Sequence, residues 1–219
     1  MLGVAAGRTP VPVYGALVRA VQAGRVDFSR VTAFSLDEFL GLPRSHPKSF
    51  HAFLRHHLFS QINVRPSAIH TLNGAARSPA EECARYERSL RRAGGIDLQV
   101  LGVGINGHIA FNEPGKSLQA WTHLARLHGD SRRVNAERFD GRVAGVPRAA
   151  LTMGIGTIMA ARKIVLLATG RAKASAVAHM LSGHCTTQVP ASLLQLHPDV
   201  EVFLDERAAS RLNKLKVDG

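Results

Sequence analysis

Only two cysteines, Cys83 and Cys185, occur in the 219 residues, and they stand far apart. That excludes a disulfide scaffold, offers no paired spacing for a metal, and fits a reducing, cytoplasmic setting. Aromatic side chains are scarce at 5%, so the stacking platforms used to bind single-stranded nucleic acid are missing. Long apolar runs are also lacking. Even "KIVLLATG" is far too short to cross a bilayer, and the opening residues carry no signal-peptide pattern, so no membrane partner is expected. Acidic residues are outnumbered, 16 against 28 basic, for a net charge of +12. Such a balance raises nucleic acid as a partner. The charge is scattered, mostly arginine, with no block of five or six like charges, and this argues against that partner. A positive surface also steers small anionic metabolites. What is present, 45% hydrophobic and 20% charged residues, is the composition of an ordinary globular domain with one sizeable core.

Short apolar runs alternate with helical patterns. "LGVAA" (2–6) reads as a buried strand closed by Gly7; Thr9 then offers an N-cap and Pro10 a first helical position, for a helix to about Ala23. "VTAFSL" (31–36) is a second strand, ending at Asp37 and Glu38. "SPAE" (78–81) opens a helix with a capping-box pattern that runs to about Arg92. "DLQVLGVG" (97–104), "KIVLLAT" (163–169) and "VEVFLD" (200–205) are further strands. "ALTMGIGTIMAA" (150–161) reads as helical despite its glycines, and Ala172 to Leu181 as another helix. The predicted fold class is α/β, a Rossmann-like open, mostly parallel sheet with helices on both faces, in a single domain over 1–219. The polar, glycine-containing segment 127–147 has little pattern and is a candidate active-site lid.

Ligands of an open parallel sheet bind outside the carboxyl ends of its strands. Four polar clusters follow strands in that way: "GRTP", "DE", "NGHIAFNE" and "GRAKA". The first, with Gly7, Arg8 and Thr9, is either an anion cradle at a helix start or an ordinary capped turn. Lys173 either adds a point charge to the same anion or is a solvated surface lysine. Asp37 or Glu38 is a general base or a loop cap. His108 can move protons near neutrality, with Asn106 and the carboxylate of Glu113 close by to orient it; in isolation a histidine in a glycine turn is structural. Gly104 and Gly107 shape that turn and join the candidate substrate-binding set. The other histidines, His56 and His57 in "FLRHHLF" among them, show no ligand spacing and read as partly exposed helix residues.

Over nearly its whole length the chain resembles the glucosamine-6-phosphate deaminase (glucosamine-6-phosphate isomerase) family. The matching stretches are "GRTPVPVYGALV", "FSLDEFLGLPRSHPKSFHAFLRHHLF", "LGVGINGHIAFNEPGKSL", "ALTMGIGTIMAARKIVLLATG" and "LQLHPDVEVFLDE". The blocks "LDEFLGL" and "GHIAFNEP" are together highly specific. The resemblance implies an enzyme, classed as a hydrolase, that converts glucosamine 6-phosphate and water to fructose 6-phosphate and ammonia in amino-sugar catabolism, with no cofactor and no metal. It implies that His108, held by Glu113, opens the pyranose ring, and that Asp37 carries the C2 proton to C1. The "GRTP" loop and Lys173 match phosphate-binding positions. An arginine of the lid normally joins them, and Arg138 is the nearest candidate, its register shifted by one residue.

Three departures accompany the resemblance. Asn106 stands where some members carry an aspartate; an amide orients imidazole but cannot stabilise imidazolium by charge. Arg8 replaces a small residue in the phosphate loop. Met1 begins almost inside the glycine loop, where members have an earlier strand and helix, so the domain reads as short at its N-terminus. The rival expectations are a galactosamine-6-phosphate deaminase and a sugar-phosphate-sensing effector domain. The second needs a DNA-binding module, and the sequence contains no helix-turn-helix pattern. The small-molecule partner is a sugar phosphate, and both a monomer and a homo-oligomer remain open.

Overall fold

The computed structural model describes residues 1–212. Its strands are β1 (Leu2–Val4), β2 (Ala33–Ser35), β3 (Asp37–Phe39), β4 (Ile69–His70), β5 (Leu98–Gly102), β6 (His123–Arg126), β7 (Ala149–Thr152), β8 (Lys163–Ala168) and β9 (Val200–Leu204). The α-helices are α1 (Val11–Gln22), α2 (Phe50–Leu54), α3 (Pro79–Ala93), α4 (Gly129–Asn135), α5 (Ile155–Met159), α6 (Ala174–Met180) and α7 (Glu206–Ala209). Six strands form one parallel sheet in the order β4-β2-β1-β5-β8-β9. The other three form a small antiparallel sheet, β3-β7-β6.

Strand residues alternate between faces, and both faces of the parallel sheet are apolar. Val4 and Ala33 join a cluster with Tyr14 of α1, Leu54 and Leu58. Their neighbours Ala5 and Phe34 join a larger cluster with Tyr86 and Leu90 of α3, Ile158 of α5 and Val177 of α6. Helices therefore cover both sides, as the α/β pattern predicts.

α3 follows its sequence signals closely. The Ser78 hydroxyl accepts from the Glu81 amide, and Gly94 ends the helix at φ 90°, a left-handed cap that glycine adopts without steric cost. Elsewhere the elements differ from the reading of the sequence. Pro10, not Thr9, occupies the N-cap of α1, and no side chain caps that helix. Residues 150–161 are not one helix: Ala149–Thr152 is a strand and only Ile155–Met159 is helical. A buried apolar run has no face to distinguish the two states. Tertiary pairing decides, because Met153 N donates to Leu36 O (2.9 Å) and Ile155 N to Gln119 O (2.9 Å). The 172–181 helix starts as a 3-10 turn at Arg171–Lys173 before α6. The patternless segment 127–147 is largely helical, with α4 followed by 3-10 turns at Ala136–Phe139 and Val143–Gly145.

Gly74 packs where β3 leaves its sheet. It accepts from Gly41 N at 2.7 Å, and a β-carbon on it would overlap the carbonyl oxygens of Phe39 and Leu42. Backbone cannot swing aside as a side-chain tip can. Gly74→Ala is expected to cost about 3 kcal/mol, the upper end of ordinary overpacking. Calorimetry should show this as a melting temperature lower by roughly 6–12 °C for a chain of this size.

Candidate active site

Four loops meet at the carboxyl edge of the parallel sheet, following β1, β2, β5 and β8. The antiparallel sheet joins two of them. Asp37, the first residue of β3, pairs in register with Thr152 of β7. Thr152 Oγ1 in turn accepts from Phe111 N at 3.0 Å, and Asn112 Nδ2 donates to Met153 O (2.8 Å) and Ile109 O (3.0 Å). The loop holding His108 and Glu113 is thus laid directly on the strand that pairs with Asp37. The convergence expected from sequence is real for these residues, and Thr152 is the bridge that sequence did not single out.

The loop is tightly shaped around the imidazole. A β-carbon at Gly104 would overlap the His108 ring, and one at Gly107 would press on Val189. Gly107 has φ 84° and Ala110 φ 51°; the second is a left-handed conformation that costs an L-residue about 1 kcal/mol or more. His108 Nδ1 lies 2.7 Å from Asn106 Oδ1, 3.2 Å from Ser131 Oγ and 3.4 Å from Glu113 Oε2. Asn106 Nδ2 donates to Glu113 Oε2 at 3.0 Å. The Asn106 carbonyl oxygen and the Glu113 carboxylate are acceptors, so Nδ1 carries the hydrogen, and whenever the ring is neutral the lone pair lies on Nε2. Burial works against the Glu113 charge, but the bonds from His108, Ser131 and Asn106 and the histidine's charge outweigh it, drawing its pKa down to about 2.

Asp37 lies in the opposite regime. Burial, and then the Glu38 charge beside it, push its pKa up to about 8, against the opposing pull of Arg138. Glu38 is also raised by burial, although its carboxylate accepts the backbone N–H groups of Phe39, Phe50 and His51, each at 2.9 Å. Arg138 sits over the rings of Phe53 (4.7 Å) and Phe50 (5.2 Å), with its Nε unpartnered among the described residues. It packs on α2, with Nη2 3.5 Å from Ser49 O, and its charge acts on the Asp37–Glu38 pair without a direct ion pair among the described residues.

At the end of β1, Gly7 takes φ 137°, within the range that favours glycine. Arg8 Nη1 pairs with Glu137 of the 127–147 segment at 2.7 Å, both side chains being exposed. Lys173 stands at the start of α6; its pKa is lowered first by burial and then by the charge of Arg8. The two positive charges of Arg8 and Lys173 thus disfavour each other. Thr9 is half-buried and makes no cap.

Residues 1–203 match the family described as glucosamine-6-phosphate isomerases/6-phosphogluconolactonase. The chain belongs to this family. Within it, the chain is 48% identical over 211 residues to a glucosamine-6-phosphate deaminase of Thermoanaerobacter pseudethanolicus, covering 96% of this chain and 83% of the relative. It is 48% identical over 213 residues to glucosamine-6-phosphate deaminase 2 of Bacillus subtilis, covering 97% and 86%. Among solved structures, a monomeric glucosamine-6-phosphate deaminase superposes with a TM-score of 0.92 at 41% identity, covering 98% of this chain and 87% of that one. The 6-phosphogluconolactonase of Thermotoga maritima shares the fold, with a TM-score of 0.72 at 23% identity over 93% and 83% of the two chains.

Two neighbours of the site, Ser131 and Thr152, escaped the sequence reading, and a third, Glu38, was only partly legible. Ser131 is buried in α4 and reaches His108 from a segment with no readable pattern. Thr152 lay inside a run taken as helix. Glu38 was visible in "LDEF", but its grip on α2 depends on a contact twelve residues away in the chain.

The raised Asp37 pKa has a consequence for stability. An unfolded aspartate loses its proton near about pH 4, whereas the folded one keeps it to about 8. The folded state therefore holds the extra proton between those values, and this group's stabilisation is lost as pH rises across that window. Asp37→Asn removes the titration. Its melting temperature relative to the unsubstituted protein should climb as pH goes from 5 to 9; a difference that stays flat would place Asp37 in the ordinary carboxylate range.

Proposed function

We infer that the chain is a glucosamine-6-phosphate deaminase, converting glucosamine 6-phosphate and water to fructose 6-phosphate and ammonia. The observation that carries this is the pairing of two proton-handling groups across Thr152, one a histidine with a free Nε2 and the other a buried carboxyl. It occurs in a family member 48% identical to proteins of that name. The sugar enters as a pyranose, its phosphate held by the Gly7–Arg8–Thr9 loop and Lys173. His108 Nε2 takes the proton of the anomeric hydroxyl and a proton reaches the ring oxygen, which opens the ring; Asn106 and Glu113 fix the imidazole.

Asp37 then removes the C2 proton, giving an enolamine, and returns it to C1. The product is a C2 imine. Water adds to C2 and ammonia leaves, so the atoms balance as fructose 6-phosphate and ammonia. Asp37 must be ionised to begin. A protonated amine on the substrate's C2 favours the carboxylate and draws its pKa down from the value of the empty site. The segment 127–147 acts as a lid over this edge; the Arg8–Glu137 pair and the Ser131–His108 contact support that role. Two free cysteines agree with action in the cytosol.

Ammonia release measured side by side on glucosamine 6-phosphate and galactosamine 6-phosphate tests the substrate, with turnover expected on the first. Asp37→Asn should lower that rate by about two to four orders of magnitude, the usual worth of a positioned acid–base group. It should also stop solvent exchange of the transferred proton when fructose 6-phosphate and ammonia are run backwards in heavy water, followed by NMR. Wild-type exchange in this variant would move the base to Glu38. His108→Gln should slow the cyclic sugar far more than the small open-chain fraction.

The pH dependence of kcat/KM reports the free enzyme, and its acid limb should follow the charges around Asp37. Glu38→Gln should move the limb to lower pH and Arg138→Gln to higher pH. If Arg138→Gln raised KM with the limb unmoved, the guanidinium would belong to the phosphate instead.

A further inference from the structure

A surface hollow of about 330 Å³ that plays no part in the chemistry above is lined by half-buried His51 and by exposed Arg44, Ser45, Arg55, His56 and Ser60. No carboxylate lines it. Arg44 spends one donor on Thr71 O, at 3.1 Å from Nη2. The Arg55 guanidinium has no hydrogen-bond or ion-pair partner among the described residues; only its carbonyl is engaged, by Ser60 Oγ at 2.7 Å. His51 Nδ1 lies 3.1 Å from Thr71 Oγ1, which leaves Nε2 for a ligand. Arg44, His51 and Arg55 line the same space, and burial, followed by the charges of the two arginines, holds the His51 pKa down.

The neighbouring charges do not cancel this cluster. Glu82 is committed to Arg85 through two contacts of 2.6 Å. Glu38 meets this segment through backbone amides of Phe50 and His51. Arg55 and His56 are carried on a π-helical turn, Arg55–Phe59, a rare geometry that is frequent at functional sites. Two arginines exclude a metal cation, and no aromatic ring lining the hollow offers a base a stacking face apart from the histidines. Guanidinium forks, an imidazole and hydroxyls match a compact oxyanion.

We propose that this hollow is a second anion site, taking inorganic phosphate or the phosphate of a small phosphomonoester, separate from the Gly7–Lys173 cradle. Its residues are none of those assigned to the reaction, so the two sites can be removed independently.

Isothermal titration calorimetry with inorganic phosphate, and in a second arm with glycerol 3-phosphate, tests it on the unsubstituted protein, Lys173→Ala and the Arg44→Gln/Arg55→Gln double variant. Lys173→Ala should keep one phosphate site and the double variant should lose one. In Lys173→Ala, the His51 imidazole NMR signals should shift on titration with phosphate. The arm that saturates at lower concentration identifies the free ion or the monoester as the better ligand. If the double variant melts early, Arg55→Gln alone is expected to weaken binding roughly tenfold or more, the worth of a charge-assisted hydrogen bond. Loss of all phosphate binding in Lys173→Ala, or unchanged binding in the arginine variants, overturns the proposal. A Lys173→Ala protein that binds as the unsubstituted one does, beside a double variant that loses a site, would instead count against the cradle.

Discussion

One buried carboxylate holds the candidate site in shape. Glu38 gathers three backbone amides, its own neighbour Phe39 and the first two residues of α2, and so fastens the small antiparallel sheet to the helix beside it. Without it those amides would be buried without partners, a loss of about 1–3 kcal/mol each. Burial raises the Asp37 pKa, and the same charge beside it raises it further. Structure and reactivity are therefore set by one side chain: the group that positions the strand also disfavours ionisation of the residue the strand presents.

The scarcity of aromatic residues makes their placement informative. Of nine phenylalanines, four (Phe39, Phe50, Phe111 and Phe139) pack together with ring centroids 4.5–5.9 Å apart. Phe39 follows Asp37 on β3, Phe111 belongs to the His108 loop, and Phe50 lies under the Arg138 guanidinium. A short distance away, Glu113 is surrounded by donors and stays ionised. Two carboxyls with opposite environments suit two different tasks in proton transfer.

Five of the six parallel strands were legible as apolar runs, and α3 by its caps Ser78 and Gly94; the two-residue edge strand β4 is too short to show a pattern. The site residues on strand ends were legible for a related reason: polar groups directly after apolar strands have few structural uses. What stayed hidden was the antiparallel sheet. β7 has no alternation, since Ala150 and Leu151 are both fully buried; β6 is only four residues, with Leu124 exposed; and their pairing joins residues more than twenty positions apart. The helical nature of 127–147 was masked by its many arginines and its glycines. Arg138 could be picked out as the lid arginine, but not its resting place on Phe50 and Phe53, which depends on packing between distant segments.

The strand order has a consequence for how this chain reaches its fold. β1 pairs with β5 across nearly a hundred residues, Leu2 opposite Leu98, and β5 then waits for β8, Leu98 opposite Lys163. The centre of the sheet is therefore assembled from the start, middle and last third of the chain. Such non-local pairing must bear loop-closure entropy before it gains contacts, which makes for slow folding. During synthesis, β1 and β2 emerge with an apolar edge that has no partner until β5 is made. In that interval the nascent chain depends on its local helices, above all the well-capped α3, and is exposed to edge-to-edge association.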